Sequence, residues 1–306
     1  MTIPTRCLGR TGVEVTILGY GAMELRGRPR GPELEEADAG RLLNELLDAG
    51  VNLIDTSIDY GRSEQLIGRY LSGRRDEYFL ASKCGCMLSL PSDVVPPLPH
   101  DFSAANVRAG VEQSLRRLQT DHLDLVQVHM SPSREELESD GTVEEMERLR
   151  DEGKVRFLGM SGTLPNLPDQ IEMSVFDVFQ IPYSALQPQH DEMLSRAAAA
   201  GAGVLIRGGV ARGSAAEDKN WTVQPLGSSG PAAQDRWQAA GLDELLDDGM
   251  SRHEFVLRFT LSHPALSSTI VGTSSIEHLR ENVNAAARGP LPADLYAEAK
   301  RRLANS

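Results

Sequence analysis

Cysteine is scarce in this chain, with three among 306 residues, too few for a disulfide framework. The thiols are therefore expected to stay reduced, as in a cytoplasmic protein. Long apolar runs are missing altogether, and nothing approaches the ~18 consecutive residues a membrane helix requires. The opening MTIPTRCLGRTG has no apolar stretch leading to a cleavage site, so no secretory signal is expected. Positive charge is in short supply: 31 Lys and Arg against 44 Asp and Glu leave a formal net charge of −13. Nucleic acids and anionic membranes attract basic surfaces, so neither is an expected partner. No Gly-x-Gly-x-x-Gly opens a helix after the first strand, which argues against an open dinucleotide-binding sheet. Neither a linker nor a low-complexity segment interrupts the chain.

What is present is a repeating pattern. Hydrophobic residues make up 40% and charged residues 25%, ordinary values for a globular protein. After a Gly-Arg-Thr-Gly turn at 9–12, apolar strands and amphipathic helices alternate. Strands are expected at 15–20, 51–56, 78–83, 123–129, 155–160, 175–181, 203–206 and 268–271. Helices are expected at 37–49, 63–71, 103–118, 143–151, 168–173, 190–200, 232–246, 252–262 and 276–287. The strands lack strict polar alternation, as buried parallel strands do. Eight strand-then-helix units in a chain of this length favour a closed (β/α)8 TIM barrel. A short N-terminal hairpin precedes it, a long polar loop spans 208–230, and a helical appendage follows at 292–303. The whole of 1–306 is expected to be one domain.

In such a barrel, functional residues gather at the C-terminal ends of the strands and in the loops beyond. Asp55 ends the second strand, with Tyr60 in the next loop; Lys83 ends the third, and His129 the fourth. Singly, each has an ordinary structural role: a cap, a loop packing residue, a surface charge, a satisfied core polar group. Together at successive strand ends they form a recognisable chemical set. Reducing a carbonyl by hydride needs a proton for the developing alkoxide. A phenol titrates near ~10, and a neighbouring ammonium draws that value down. A carboxylate holds the ammonium in place, and an imidazole can orient the carbonyl oxygen.

The segment GVNLIDTSIDYGRSEQLIGRYL at 50–71 resembles the aldo-keto reductase signature, a strand ending in Asp followed by Tyr-Gly and Ser-Glu. ASK (81–83), LDLVQVH (123–129), GKVRFLGMS (153–161) and GTSSIEHLREN (272–282) are similar to further blocks of that family, in the same order. The resemblance implies a catalytic tetrad of Asp55, Tyr60, Lys83 and His129, with Tyr60 as general acid and His129 as orienting donor. It implies Ser161 and Gln180 on the nicotinamide carboxamide; Gly162 stands where relatives carry Asn, so one amide contact is expected to be lost. Arg207 occupies the place of a stacking tyrosine, and two readings stand: stacking on nicotinamide, or contact with substrate or a loop carboxylate. Gly21, Ala22 and Met23 would run beneath the ribose. Gly272, Thr273 and Ser274, ahead of a helix N-terminus, would hold phosphates, with Glu281 and Asn282 on the adenine. His278 stands where many relatives have the arginine that meets the 2′-phosphate. NADPH is therefore the expected cofactor, favoured by a reduced margin over NADH, and a small-molecule aldehyde or ketone the expected partner. Trp221, in the long loop, is expected to touch substrate. Cys84 and Cys86 are expected to be reduced thiols at the pocket rim, with no further Cys or His beside them and hence no metal site. The alternative to a reductase is an NADP(H)-binding regulatory or redox-sensing barrel of slow turnover.

Overall fold

Short runs of Val, Ile and Leu satisfy a strand that is covered on both faces, and these runs build the barrel wall. The computed structural model describes residues 2–28, 34–88, 99–210 and 230–306, apart from the side chains of 230–233. A hairpin of β1 (Thr5–Cys7) and β2 (Glu14–Thr16) comes first. The barrel strands are β3 (Leu18–Gly21), β4 (Leu53–Asp55), β5 (Phe79–Cys84), β6 (Leu123–Val128), β7 (Val155–Ser161), β8 (Val178–Pro182), β9 (Gly203–Arg207) and β10 (Ser268–Val271). Each pairs in parallel with the next, and β10 pairs with both β9 and β3, closing the ring.

The helices are α1 (Glu36–Asp48), α2 (Ser63–Leu71), α3 (Ala104–Leu118), α4 (Arg134–Ser139), α5 (Thr142–Asp151), α6 (Leu167–Glu172), α7 (Asp191–Ala199), α8 (Gly230–Ala239), α9 (Arg252–Leu261), α10 (Ile276–Ala287) and α11 (Ala293–Ala304). Helical spacing explains their packing. In α1, Ala39, Leu42, Leu43, Leu46 and Leu47 share one buried stripe. The outer core joins such stripes to the outward faces of the strands. A second, inner core fills the barrel: Leu53, Phe79, Ala81, Leu125, Val178, Leu205 and Ile270. Leu8 and Val15 of the hairpin segment belong to this inner core, so the hairpin plugs the end where the strands begin.

That plug depends on a glycine. Gly9 has φ +52, and a Cβ there would stand 2.1 Å from the Gly203 amide nitrogen. The obstruction is backbone and cannot swing aside. Gly9→Ala is expected to destabilise the protein by about 2–3 kcal/mol and to lower the thermal midpoint by ~5 °C or more. Circular dichroism melts check this, and an unchanged midpoint would mean that the hairpin shifts freely.

Local structure departs from the expected pattern in three places. The strand expected at 15–20 is two strands, because the Ile17 amide donates to Pro4 O while Ile17 O accepts from Thr269 N. One residue thus hands the chain from the hairpin to the barrel. The helix expected at 232–246 stops at α8; Gly241 (φ +58) turns the chain into a short 3-10 segment, Leu242–Leu245. Helix α4 was not expected, although its capping box, Ser133 with Glu136, is written in the sequence.

Candidate active site

The site is built at the mouth opposite the plug. Asp55 is the last residue of β4, and its carboxylate is enclosed by donors. Lys83 Nζ on β5 donates to Asp55 Oδ2 at 2.7 Å, while Gln127 and Gln180 each donate to Asp55 Oδ1 at 2.8 Å. Asp55 and Lys83 are only 1% and 2% exposed. Such a pair persists in a dry interior because both partners are fully bonded. Lys83 also donates to Thr56 O at 2.7 Å. Burial works against the ammonium, but Asp55, Tyr60 and Asp59 together hold its pKa above the ordinary lysine value.

Tyr60 reaches this pair from the loop after β4. Its amide donates to Ser57 O and its carbonyl accepts from Ser63 N, a turn that feeds directly into α2. Gly61 (φ +52) permits the turn, since a Cβ there would meet Arg26 O at 2.3 Å. The signature Ser-Glu pair anchors α2 to the barrel. Ser63 Oγ donates to Ala22 O, and Glu64 accepts from Ser82 and Arg117. Lys83 Nζ stands 5.1 Å from the Tyr60 ring centroid. Burial pushes the Tyr60 phenol up to about 12; Lys83 opposes this, and Asp55 and Asp59 add to it. The lysine does act in the expected direction, but burial outweighs it.

His129, just past β6, completes the set, its ring edge-on to Tyr60 at 6.4 Å between centroids. Burial drives its imidazole down to about 3, against the pull of Asp59, so the ring is neutral near pH 7. The chain turns sharply after it: Met130 and Ser131 have φ +64 and +55. Two consecutive non-glycine residues in that region indicate a strained turn.

The remaining candidates are placed as follows. Ser161 Oγ lies 3.4 Å from Gln180 Oε1; the amide of Gln180 is also tied to Asp55, a bond absent from the expected role. Arg207 is half-buried at the end of β9, and its charge acts on Tyr60, His129 and His190. Gly21 pairs with Asp55 in register; Ala22 and Met23 follow it in a short 3-10 turn. Gly272 lies against that segment, for a Cβ on it would be 2.7 Å from Gly21 O. Thr273 is buried, and its carbonyl accepts from the Tyr20 hydroxyl at 2.7 Å. Ser274 follows, half-buried, and Ser275 caps α10 by accepting from His278 N. His278 and Glu281 are exposed; Asn282 is buried, with its Oδ1 2.6 Å from His253 Nε2. Trp221 lies outside the described residues.

The expectations for the cysteines are revised. Cys84 belongs to the outer hydrophobic core, with its thiol pushed up to about 12 by burial, and does not line the rim. Cys86 does have further ligand-type neighbours: His129 Nδ1 is 3.1 Å from its sulfur, and His100 Nε2 is 3.4 Å from that same nitrogen. Gln127, Asp59 and His100 were not singled out in the sequence. For Gln127 the signal was available, a lone amide at an inward position two residues before His129.

Comparison with known proteins identifies the family. The Aldo/keto reductase family pattern matches residues 17–302. An uncharacterized oxidoreductase of Bacillus subtilis is 30% identical over 288 residues, covering 92% of this chain and 90% of the relative. The L-galactose dehydrogenase of Arabidopsis thaliana is 30% identical over 297 residues, covering 92% and 88%. Among solved structures, the holo form of an aldo-keto reductase from Bacillus halodurans superposes with a TM-score of 0.83 at 30% identity, covering 98% of this chain and 96% of that one. Both the sequence and the closed barrel with its four polar residues at one mouth thus place the chain in the aldo-keto reductase family of NAD(P)H-dependent oxidoreductases.

Proposed function

We propose that this chain reduces aldehyde or ketone carbonyls to alcohols with NADPH as preferred cofactor, and that Tyr60 delivers the proton. The observation carrying this reading is the buried Asp55–Lys83 pair set 5.1 Å from the Tyr60 ring centroid, with neutral His129 edge-on beside it.

The cofactor supplies hydride; the protein's residues supply the rest. Asp55 fixes the Lys83 ammonium, and that charge stabilises the phenolate left behind when the Tyr60 proton moves to the carbonyl oxygen. Cys86 Sγ lies 3.1 Å from His129 Nδ1, and in the tautomer where that nitrogen accepts from the thiol, the imidazole proton sits on Nε2 and is free to donate to the same oxygen. The residues fit a dinucleotide on two observations. Gly272 and Gly21 bring two backbones together ahead of the α10 N-terminus, where a Cβ on Gly272 would stand 2.7 Å from Gly21 O, so backbone rather than side chain faces that N-terminus. Buried Gln127 Oε1 has no partner among the described residues, an acceptor ready for a polar ligand group. Ser161 and Gln180 would hold the carboxamide, Gly21, Ala22 and Met23 the ribose, and Thr273, Ser274, His278, Glu281 and Asn282 the adenosine end. Arg207, whose charge reaches Tyr60, would either stack on the nicotinamide or meet the substrate. Met87, Met130 and Leu164 are exposed in the loops after β5, β6 and β7, and would give the rim an apolar face for the carbon chain of the substrate. The relatives include a named dehydrogenase and a 6-dehydroglucose reductase, in keeping with hydride transfer that runs both ways.

The test is NADPH-dependent turnover of a generic aldehyde such as 4-nitrobenzaldehyde, followed by cofactor absorbance. Tight NADPH binding without turnover across a carbonyl panel would overturn the reductase reading in favour of a regulatory barrel.

Cofactor choice yields a pH-dependent prediction. An imidazole is a cation only on the acidic side of its titration, unlike an arginine. A 2′-phosphate bound beside His278 would pair with that cation, so the added affinity is present at low pH and is lost as pH rises. The NADPH-to-NADH affinity ratio should therefore fall between pH 5.5 and 8.5, and fall less in His278→Ala. Fluorescence titrations of both proteins check this, and identical ratios at every pH would remove His278 from the phosphate.

A further inference from the structure

We propose that Cys86, His100 and His129 form a binding site for a thiophilic divalent cation of the zinc class, built into the pocket wall. The sulfur and one ring nitrogen from each histidine all lie within 4.8 Å of one another. Two separations are 3.1 Å (Cys86 Sγ to His129 Nδ1) and 3.4 Å (His129 Nδ1 to His100 Nε2). Zinc bonds of ~2.3 Å to sulfur and ~2.0–2.1 Å to nitrogen, at tetrahedral angles, put ligand atoms roughly 3.3–3.6 Å apart. Two of the three separations are already close to that spacing.

The three residues are held by contacts other than their own. Cys86 and His100 are joined by a backbone bridge, and the Asp101 amide donates to Gly85 O at 2.8 Å. Asn106 Nδ2 donates to Cys86 O at 3.2 Å, and the His100 ring stacks on Phe102 at 5.9 Å. The His129 amide donates to Cys84 O. Preorganised ligands of this kind lower the cost of closing a metal site.

Cys86 Sγ also lies 3.7 Å from Ser57 Oγ, and within the cluster the contacts converge on a single nitrogen. His129 Nδ1 carries either one lone pair or one proton, yet both the Cys86 sulfur and His100 Nε2 address it. A cation at the point of convergence satisfies all three at once. Binding is balanced by one proton: the Cys86 S–H bond breaks, a sulfur–metal bond forms, and the proton leaves to solvent. Asp59, whose charge acts on both Cys86 and His129, favours the incoming cation. Lys83 opposes it, but its charge is already matched by Asp55. Three protein ligands leave a fourth position for water, the pattern of an exchangeable site.

Occupancy should inhibit carbonyl reduction, a consequence that rests on the proposed function. With the Cys86 proton lost, occupancy adds one net positive charge to the pocket wall, which would oppose a nicotinamide becoming cationic as hydride departs.

Titration of the metal-free chain with Co2+ tests the site without any turnover. The expected result is one Co2+ per chain, with a thiolate-to-cobalt charge-transfer band, displaced by Zn2+. Cys86→Ser and His100→Ala should each weaken binding at least ~tenfold, while Cys7→Ser, at an exposed thiol, should leave it intact. Absence of the band, or equal affinity in the Cys86 and His100 variants, overturns the proposal. In the activity arm, Zn2+ should slow reduction reversibly to EDTA. Cys86→Ser, measured against its own metal-free rate, should resist Zn2+; inhibition equal to the parent's also overturns it. If the chain proves not to be a reductase, the Co2+ titration still decides the metal site.

Discussion

Tyr60→Phe is expected to lower kcat for carbonyl reduction by at least ~10²–10⁴-fold, equivalent to about 3–5 kcal/mol of barrier. The substitution removes one oxygen and keeps the ring beside Lys83, so the fold and the ion pair should survive. Because burial pushes the phenol up to about 12, the parent enzyme holds its proton throughout the neutral range and is always a competent donor. The hydroxyl is not expected to grip the dinucleotide, so the NADPH dissociation constant should change by less than ~2-fold. Steady-state rates paired with cofactor fluorescence titration read both quantities. A kcat within about threefold of the parent would remove Tyr60 from the proton-donor role.

Lys83→Met should be damaging in two separable ways. It leaves Asp55 buried with only the Gln127 and Gln180 amides for company, and breaking a buried ion pair costs about 3–5 kcal/mol. Against a typical total of ~5–15 kcal/mol, a large drop in the denaturation midpoint is expected. The second effect is on proton transfer. Lys83 lowers the Tyr60 pKa, so its loss raises that pKa further. In alcohol oxidation the phenolate is the base, and activity rises as pH climbs through the phenol's titration. The rising limb should therefore move to higher pH in the variant. Purely structural damage would lower the rate without displacing the limb, and an undisplaced limb would refute the coupling.

Much of this was legible in the sequence. Asp55, Lys83 and His129 stand out because apolar runs end in ionisable residues at successive strand ends, and the structure brings all three to one mouth with Tyr60. Ser161 and Gln180 were likewise visible as polar ends of strands, and are found together. What stayed hidden depended on distant partners. Gln127 looked like one polar letter in LDLVQVH; only the closed ring shows that it shares Asp55 with Gln180, from a strand two places away. His100 could not be tied to Cys86 by spacing, since a backbone bridge between segments sets their contact. The split at Ile17 arises from one residue serving two sheets, which no local propensity encodes. By contrast, the stop at Gly241 and the capping box at Ser133 were local signals, outweighed by an apolar pattern read straight across the first and a short segment passed over at the second.

The hairpin and the side chains that fill the barrel leave its strand-beginning end closed. Leu8 and Val15 close the floor, so molecules cannot pass through and all traffic uses one doorway. A dinucleotide seated at that mouth would share its doorway with the carbonyl substrate, so both would have to enter and leave from the same side.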